Sequence, residues 1–124
     1  MSSVYVIADI GTNHDARVDR MFQAADVAKH AGCNAVKYQW VSDPDAMAAR
    51  RGAAAADGYA DIYRRYLAWP ASLLPALAEH CRRIGIDFMC TAFLPQDVAA
   101  VAPYVAHFKV ASFEAGDEAL LAAH

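Results

Sequence analysis

Residues 34–40 read Asn-Ala-Val-Lys-Tyr-Gln-Trp, and their alternation decides the fold. Successive side chains of an extended strand point to opposite faces. Ala35, Lys37 and Gln39 therefore share one face, and Val36, Tyr38 and Trp40 the other. An outer face of large apolar groups and an inner face carrying a lysine suit a barrel with helices outside and chemistry inside.

Upstream, Val4 to Ile10 is almost continuously apolar and reads as a strand over 4–10, buried on both faces. Asn13, His14 and Asp15 offer capping chemistry for a helix over 17–31, whose apolar stripe is Val18, Met21, Phe22 and Ala25, with Gly32 as its stop. Downstream, residues 41–70 are long for a barrel loop. Ser42 to Asp45 is turn-like, Ala46 to Arg51 reads as a helical piece, 52–58 is a stretch of small residues, and Tyr59 to Trp69 reads as helix up to Pro70. Ser72 is the expected N-cap of a helix with Leu73, Leu74, Leu77 and Cys81 on its apolar face, ended by Gly85. A third strand is expected over 86–93, a short helix over 95–101, a fourth strand over 107–112, and a fourth crossover helix from Ala115. Strands alternating with helices imply parallel strands joined by crossovers.

The composition supports one domain. The chain has 124 residues, 57% hydrophobic and 20% charged, enough to build a core and unlike a disordered segment. A net charge of −3 argues against general nucleic-acid binding, so an anionic substrate needs a local cationic site. Cys33, Cys81 and Cys90 show neither metal-finger spacing nor a disulfide framework, and read as reduced thiols in a cytoplasmic protein. The first apolar run is too short for a signal peptide, and no stretch is long enough for a transmembrane helix.

Four segments, each at the end of an expected strand, resemble the N-acetylneuraminate synthase family, including its pseudaminic and legionaminic acid branches. They are IADIGTNH (7–14), AVKYQW (35–40), DFMCTAF (87–93) and FKVASFEAGD (108–117); the family forms are close to AEIGxNH, AVKFQ, STPF and YKIxSxE. The resemblance implies the N-terminal half of a (β/α)8 barrel, four βα units over 1–124, since a full barrel takes about 250 residues. It also implies a second half-barrel and a C-terminal antifreeze-like domain, neither of which is among these residues. The implied reaction condenses phosphoenolpyruvate with an N-acylated amino-sugar aldehyde to give a nonulosonic acid and phosphate.

By the same resemblance Lys37, Thr91, Lys109 and Ser112 hold phosphoenolpyruvate, Asp9 and Gln39 face the sugar, and Glu114 is the catalytic carboxylate. Anionic phosphate and carboxylate groups call for fixed cations and hydroxyl donors, and two lysines inside a barrel need anions to offset their desolvation. A divalent metal, manganese or magnesium, is implied for the complete enzyme, with its histidine ligands in the second half-barrel and no metal site in this chain. Family members are typically homodimers. The chain departs from the family at Asp9, one methylene shorter than the usual glutamate, at Cys90 and Ala92 on either side of Thr91, and at Phe113, whose Ser-Phe-Glu form resembles the pseudaminic branch.

Plainer readings stand beside these. Lys37 and Lys109 at strand ends can snorkel to solvent. Asn13 reads as a helix cap, His14 as structural, and the three thiols as small core residues. The arginine pairs at 50–51, 64–65 and 82–83 read as solvated helix faces, the first on the active-site side within reach of a phosphate. Tyr59, Tyr63, Tyr66 and Trp69 read as a packing stripe. Two rival functions remain: another phosphoenolpyruvate-dependent keto-sugar-acid synthase, or a non-catalytic truncated or self-associating half-barrel. The isolated chain is expected to be inactive.

Overall fold

The computed structural model describes residues 3–52 and 58–124; part of the small-residue stretch expected over 52–58 lies outside them. Its centre is a parallel three-stranded sheet in the order β1 (Ile7–Asp9), β2 (Ala35–Trp40), β3 (Asp87–Ala92). The crossovers carry α1 (Val18–His30) after β1, then α2 (Pro44–Arg50), α3 (Tyr59–Tyr66) and α4 (Leu73–Ile84) after β2; α5 (Pro95–Val101) and α6 (Glu118–Ala123) follow β3.

Register turns the alternation of β2 into a shared surface. Asp9 pairs with Lys37, Lys37 with Met89, and Gln39 with Thr91. Paired residues project to the same side of a sheet, so Asp9, Lys37, Gln39, Met89 and Thr91 share the inner face. Val36, Tyr38, Trp40, Phe88, Cys90 and Ala92 form the outer face, which packs with Met21, Ala25 and Ala28 of α1, Leu74, Leu77 and Cys81 of α4, and Val98 and Val101 of α5. The polar atoms in this core are satisfied. The Tyr38 hydroxyl donates to the Met21 carbonyl at 2.7 Å, and the indoles of Trp40 and Trp69 donate to the carbonyls of Trp69 and Gln39, each at 2.9 Å. All three cysteines are free; burial pushes the Cys81 thiol up to about 12, and the Cys90 thiol up as well.

The 41–70 excursion builds a second cluster from Val41, Met47, Ala48, Tyr63 and Leu67, closed by Phe93 and Leu94 just after β3. It is therefore anchored at the C-terminal ends of β2 and β3. Asp43 caps α2 by accepting from Ala46 N at 2.9 Å. The tyrosine stripe is only partly a packing stripe: Tyr63 is buried and Tyr66 packs beside it, while Tyr59 is half exposed.

Several expectations are corrected. The first strand covers Ile7–Asp9 only and is not buried on both faces, with Val4 81% and Ile7 41% exposed. It pairs with β2 alone, so its other edge meets solvent. In place of the strand expected over 107–112, the chain makes one sheet-like bond, Ala106 N to Phe88 O at 3.1 Å, and then leaves β3 to form a single 3-10 turn at Ser112–Glu114. After Ala106 no further ladder bond joins this segment to β3 among the described residues, so nothing holds it extended. The expected caps also differ. α1 starts at Arg17 without a side-chain cap, after successive turns in which Asp15 and Ala16 take positive φ of 51° and 57°. Ser72 makes no capping bond, because Leu73 and Leu74 donate back to Pro70 and Ala71. The helix stop at Gly85 stands as expected, with φ +73° and its N–H turned back to the Arg82 carbonyl.

Candidate active site

Parallel α/β sheets collect ligands at the carboxyl ends of their strands, where side chains and following loops form a crevice. On the inner face of this sheet, Lys37 is buried with 4% exposure. Its Nζ lies 3.0 Å from Asp9 Oδ1, whose side chain is 57% exposed. Gln39 reaches the same place from one turn of the pleat further on. A Cβ built on Gly11 would stand 3.9 Å from Gln39 Oε1 and 4.0 Å from Asp9 Oδ1. Thr91 is the registered neighbour of Gln39 and is 1% exposed.

Two of these groups are unsatisfied. Lys37 Nζ has the ion pair with Asp9, but neither it nor Thr91 Oγ1, both buried, has a hydrogen-bond partner among the described residues. A buried donor left unpaired costs about 1–3 kcal/mol, and more when charged. Such atoms are rare in native interiors and call for an explanation. A cation and a hydroxyl on adjacent strands, both short of acceptors, form a surface ready for an anion.

Lys109, Ser112 and Gln39 line a cavity of about 350 Å³ beside this face, together with Thr12, Arg51 and Phe93. Lys109 is half-buried and has no ion-pair partner among the described residues. Glu114 stands next door, on a cavity of about 220 Å³ lined also by Arg50, Arg51, Phe93 and Phe113. It is 6% exposed. Its Oε1 accepts from Arg51 Nε at 2.6 Å and lies 2.6 Å from Arg51 Nη2, and its Oε2 is buried without a partner. The structure thus joins Asp9 to Lys37, sets Thr91 beside Gln39, and gathers Gln39, Lys109 and Ser112 around one cavity. Glu114 borders the next cavity, and Arg51 lines both.

Arg51 lies on the active-site side as expected, but its partner is the Glu114 carboxylate. It is not part of a solvated helix face: its side chain is 23% exposed and its guanidinium lies over the rings of Tyr63, Phe93 and Phe113 at 5.4, 5.4 and 5.2 Å. The expected solvated pairs do appear at Arg64, bonded to Asp61 and Asp45, and at Arg82, bonded to Glu79. His14 behaves as a structural residue. Buried to 2%, it accepts from Ala16 N at 3.1 Å through Nδ1. Burial lowers its pKa, opposed by the Tyr66 carbonyl and Asp15. No group of three or more His, Cys, Asp or Glu among the described residues could hold a metal. The divalent metal implied by the resemblance therefore finds no fitting ligand set here.

Behind the site, Asp97 of α5 is 1% exposed and accepts from Ser42 N at 3.1 Å, tying down the turn that follows β2. Burial raises its pKa, Asp43 adds to the rise, and the Ser42 bonds oppose it. The folded state therefore holds this proton more tightly than the unfolded chain does. The associated stability is complete below the unfolded carboxylate value and is lost as pH rises through the folded one. Asp97→Asn keeps an acceptor for Ser42 and removes the buried charge. It is expected to melt several degrees above the parent at pH 7, where 1 kcal/mol is worth about 4–8 °C in a small domain. The gap should close as the pH falls toward 4; a gap independent of pH in thermal scans would exclude this account.

The NeuB family model matches residues 24–124. The chain is 31% identical to the spore coat polysaccharide biosynthesis protein SpsE of Bacillus subtilis (strain 168), over 90% of this chain and 31% of that one. It is 32% identical to the N-acetylneuraminate-9-phosphate synthase of Drosophila melanogaster, over 74% and 26%. The chain therefore spans under a third of the length of these relatives. Among solved structures, the N-acetylneuraminic acid (sialic acid) synthetase of Leptospira borgpetersenii serovar Hardjo-bovis superposes with a TM-score of 0.85 at 23% identity, over 98% of this chain and 41% of that one. The B. subtilis SpsE structure superposes with a TM-score of 0.64 at 26% identity, over 91% and 30%.

Proposed function

This chain belongs to the NeuB family, and from that premise we propose that it is the phosphoenolpyruvate-binding N-terminal half of a (β/α)8 barrel synthase. The complete enzyme condenses phosphoenolpyruvate with an N-acylated amino-sugar aldehyde, giving a nonulosonic acid and phosphate; the isolated half is inactive. The observation that carries the reading is the pair of buried donors on the inner face of adjacent strands, Lys37 Nζ, held only by its ion pair with Asp9, and Thr91 Oγ1, neither with a hydrogen-bond partner among the described residues. An anionic ligand supplies the acceptors they lack.

In this reading Lys37, Thr91, Lys109 and Ser112 bind phosphate and carboxylate, so the substrate's charges are met by fixed donors rather than water. Asp9 and Gln39, adjoining at Gly11, receive the sugar. The electron pair of the C2–C3 double bond forms the new bond to the aldehyde carbon as the carbonyl π pair moves onto the aldehyde oxygen, which takes up a proton, leaving positive charge at C2. Glu114 stabilises that charge and orients the water that adds there; the adduct then expels phosphate, leaving the ketone. The divalent metal, manganese or magnesium, belongs to the complete barrel, where it would supply Lewis-acid activation of the aldehyde. No helix among the described residues is long and apolar enough to cross a membrane.

The test is an amide NMR titration of the 124-residue chain with phosphoenolpyruvate. Saturable shifts at Lys37, Thr91, Lys109 and Ser112, with a Kd near 1 mM (about −4 kcal/mol), are expected. Absence of shifts at these residues in about tenfold higher ligand (by the same affinity scale) would end the assignment.

A further inference from the structure

We propose that Arg51 is a positioning residue that holds Glu114 by one carboxylate oxygen and presents the other to the reacting centre. The inference rests on the reading of Glu114 as the catalytic carboxylate, and adds a residue that no sequence motif of the chain contains.

The geometry is one-sided. Arg51 Nε and Nη2 both sit 2.6 Å from Glu114 Oε1. Nη1 is engaged elsewhere, donating to the Tyr63 hydroxyl at 2.9 Å. Oε2 is buried and has no hydrogen-bond partner among the described residues. A carboxylate gripped at one oxygen cannot rotate freely about its last bond, so the orientation of Oε2 is set before any substrate arrives. Such preorganisation is what a group acting on developing charge requires.

The grip is itself fixed. Arg51 lies at the end of α2, and its guanidinium is stacked by Tyr63 of α3, Phe93 after β3 and Phe113 beside Glu114. A planar, delocalised cation lies flat against rings and donates through two nitrogens to one acceptor; an ammonium can meet a ring face but has only one nitrogen to donate from. A second pair runs alongside, from Arg50 to Asp117, the residue whose carboxylate caps α6 by accepting from Leu120 N at 3.0 Å. The 41–70 excursion thus holds the 112–117 segment at two adjacent points. Its length has a purpose on this account: it carries Arg51 across to a carboxylate 63 positions later in the sequence.

The experiment compares Arg51→Ala, Arg51→Lys and Glu114→Gln in the full-length synthase assigned to this segment, with circular dichroism to verify folding. Arg51→Ala is expected to lower kcat by about 10²-fold, the usual effect of an ångström-scale misplacement, with KM for phosphoenolpyruvate changed less than about twofold by the same reasoning. Arg51→Lys should recover little. Free guanidinium, entering the space left among the three rings, should restore activity to Arg51→Ala and not to Glu114→Gln. Full kcat in Arg51→Ala alongside an inactive Glu114→Gln would overturn the inference and leave the proposed function standing. Full activity in Glu114→Gln would remove the proposed function, and this inference with it. A loss in Arg51→Ala confined to KM, or insensitive to guanidinium, would also overturn it.

Discussion

Lys37→Met is expected to make this chain more stable and to abolish its binding of phosphoenolpyruvate. Lys37 is 4% exposed, its Nζ lacks a hydrogen bond, and its single carboxylate neighbour, Asp9, is 57% exposed. The lysine therefore bears most of the desolvation while Asp9 keeps much of its hydration. Replacing a buried ion pair by apolar groups is neutral or stabilising by about 1–4 kcal/mol; here the buried member is Lys37, and Asp9, 57% exposed, is left in water, so the change falls on the stabilising side. Thermal scans should show a higher midpoint. Binding should move the other way. Removing the cation that meets a phosphate or carboxylate in a buried site costs about 2–5 kcal/mol, so the NMR titration should show at least a 30-fold weaker Kd, since 1.4 kcal/mol is tenfold. A site residue kept at the expense of stability is the expected signature of function. If Lys37→Met lowers the midpoint, or binds as the parent does, Lys37 is an ordinary strand-end lysine and the anion site loses its centre.

Whatever depends on local periodicity was legible in the sequence. The alternation of 35–40 separates Lys37 and Gln39 from Val36, Tyr38 and Trp40, and the structure keeps that division. The stripe of α4 and its stop at Gly85 follow from spacing and from the left-handed backbone that glycine tolerates. What needs a neighbour was not legible. The 4–10 run carries enough apolar character for burial on two faces, but such burial belongs to a strand inside a covered sheet, and β1 is an edge strand paired with β2 alone among the described residues. The same holds for 107–112, where strand composition meets an unpaired edge. The cap at Arg17 was misread because tight turns through Asp15 and Ala16 replace the Asx geometry expected of Asn13. Among the candidate site residues, Asp9, Lys37, Gln39 and Thr91 share a face because two registers align, and register is a property of pairs. The partner of Arg51 was beyond reach for a deeper reason. In sequence Arg51 is half of an Arg-Arg pair, set apart from those at 64–65 and 82–83 only by its place on the active-site side. In the fold, the convergence of Tyr63, Phe93 and Phe113, from three separate segments, makes it different.

Leu77→Ala is expected to lower the urea midpoint of this chain steeply, and phosphoenolpyruvate should recover part of the loss. Leu77 is fully buried on the face of α4 that packs against the outer side of the sheet. Truncating such a leucine costs about 2–5 kcal/mol, from lost transfer energy and from the cavity left behind. A domain has only about 5–15 kcal/mol to lose, and a three-stranded sheet with exposed residues along β1 belongs at the lower end of that range. The midpoint should fall with the denaturant slope unchanged, since the surface exposed on unfolding is nearly the same. Leu77 lies on the opposite side of the sheet from Lys37 and Thr91, so the folded fraction should bind with the parent's affinity. Ligand at a hundred times its Kd then adds about 2.7 kcal/mol by mass action, in mutant and parent alike. An equal upward shift in both proteins would separate the outer face, which holds the fold, from the inner face, which holds the ligand. A ligand shift that vanishes in Leu77→Ala while its spectrum stays dispersed would mean that the two faces are coupled, and that α4 shapes the anion site through the strands.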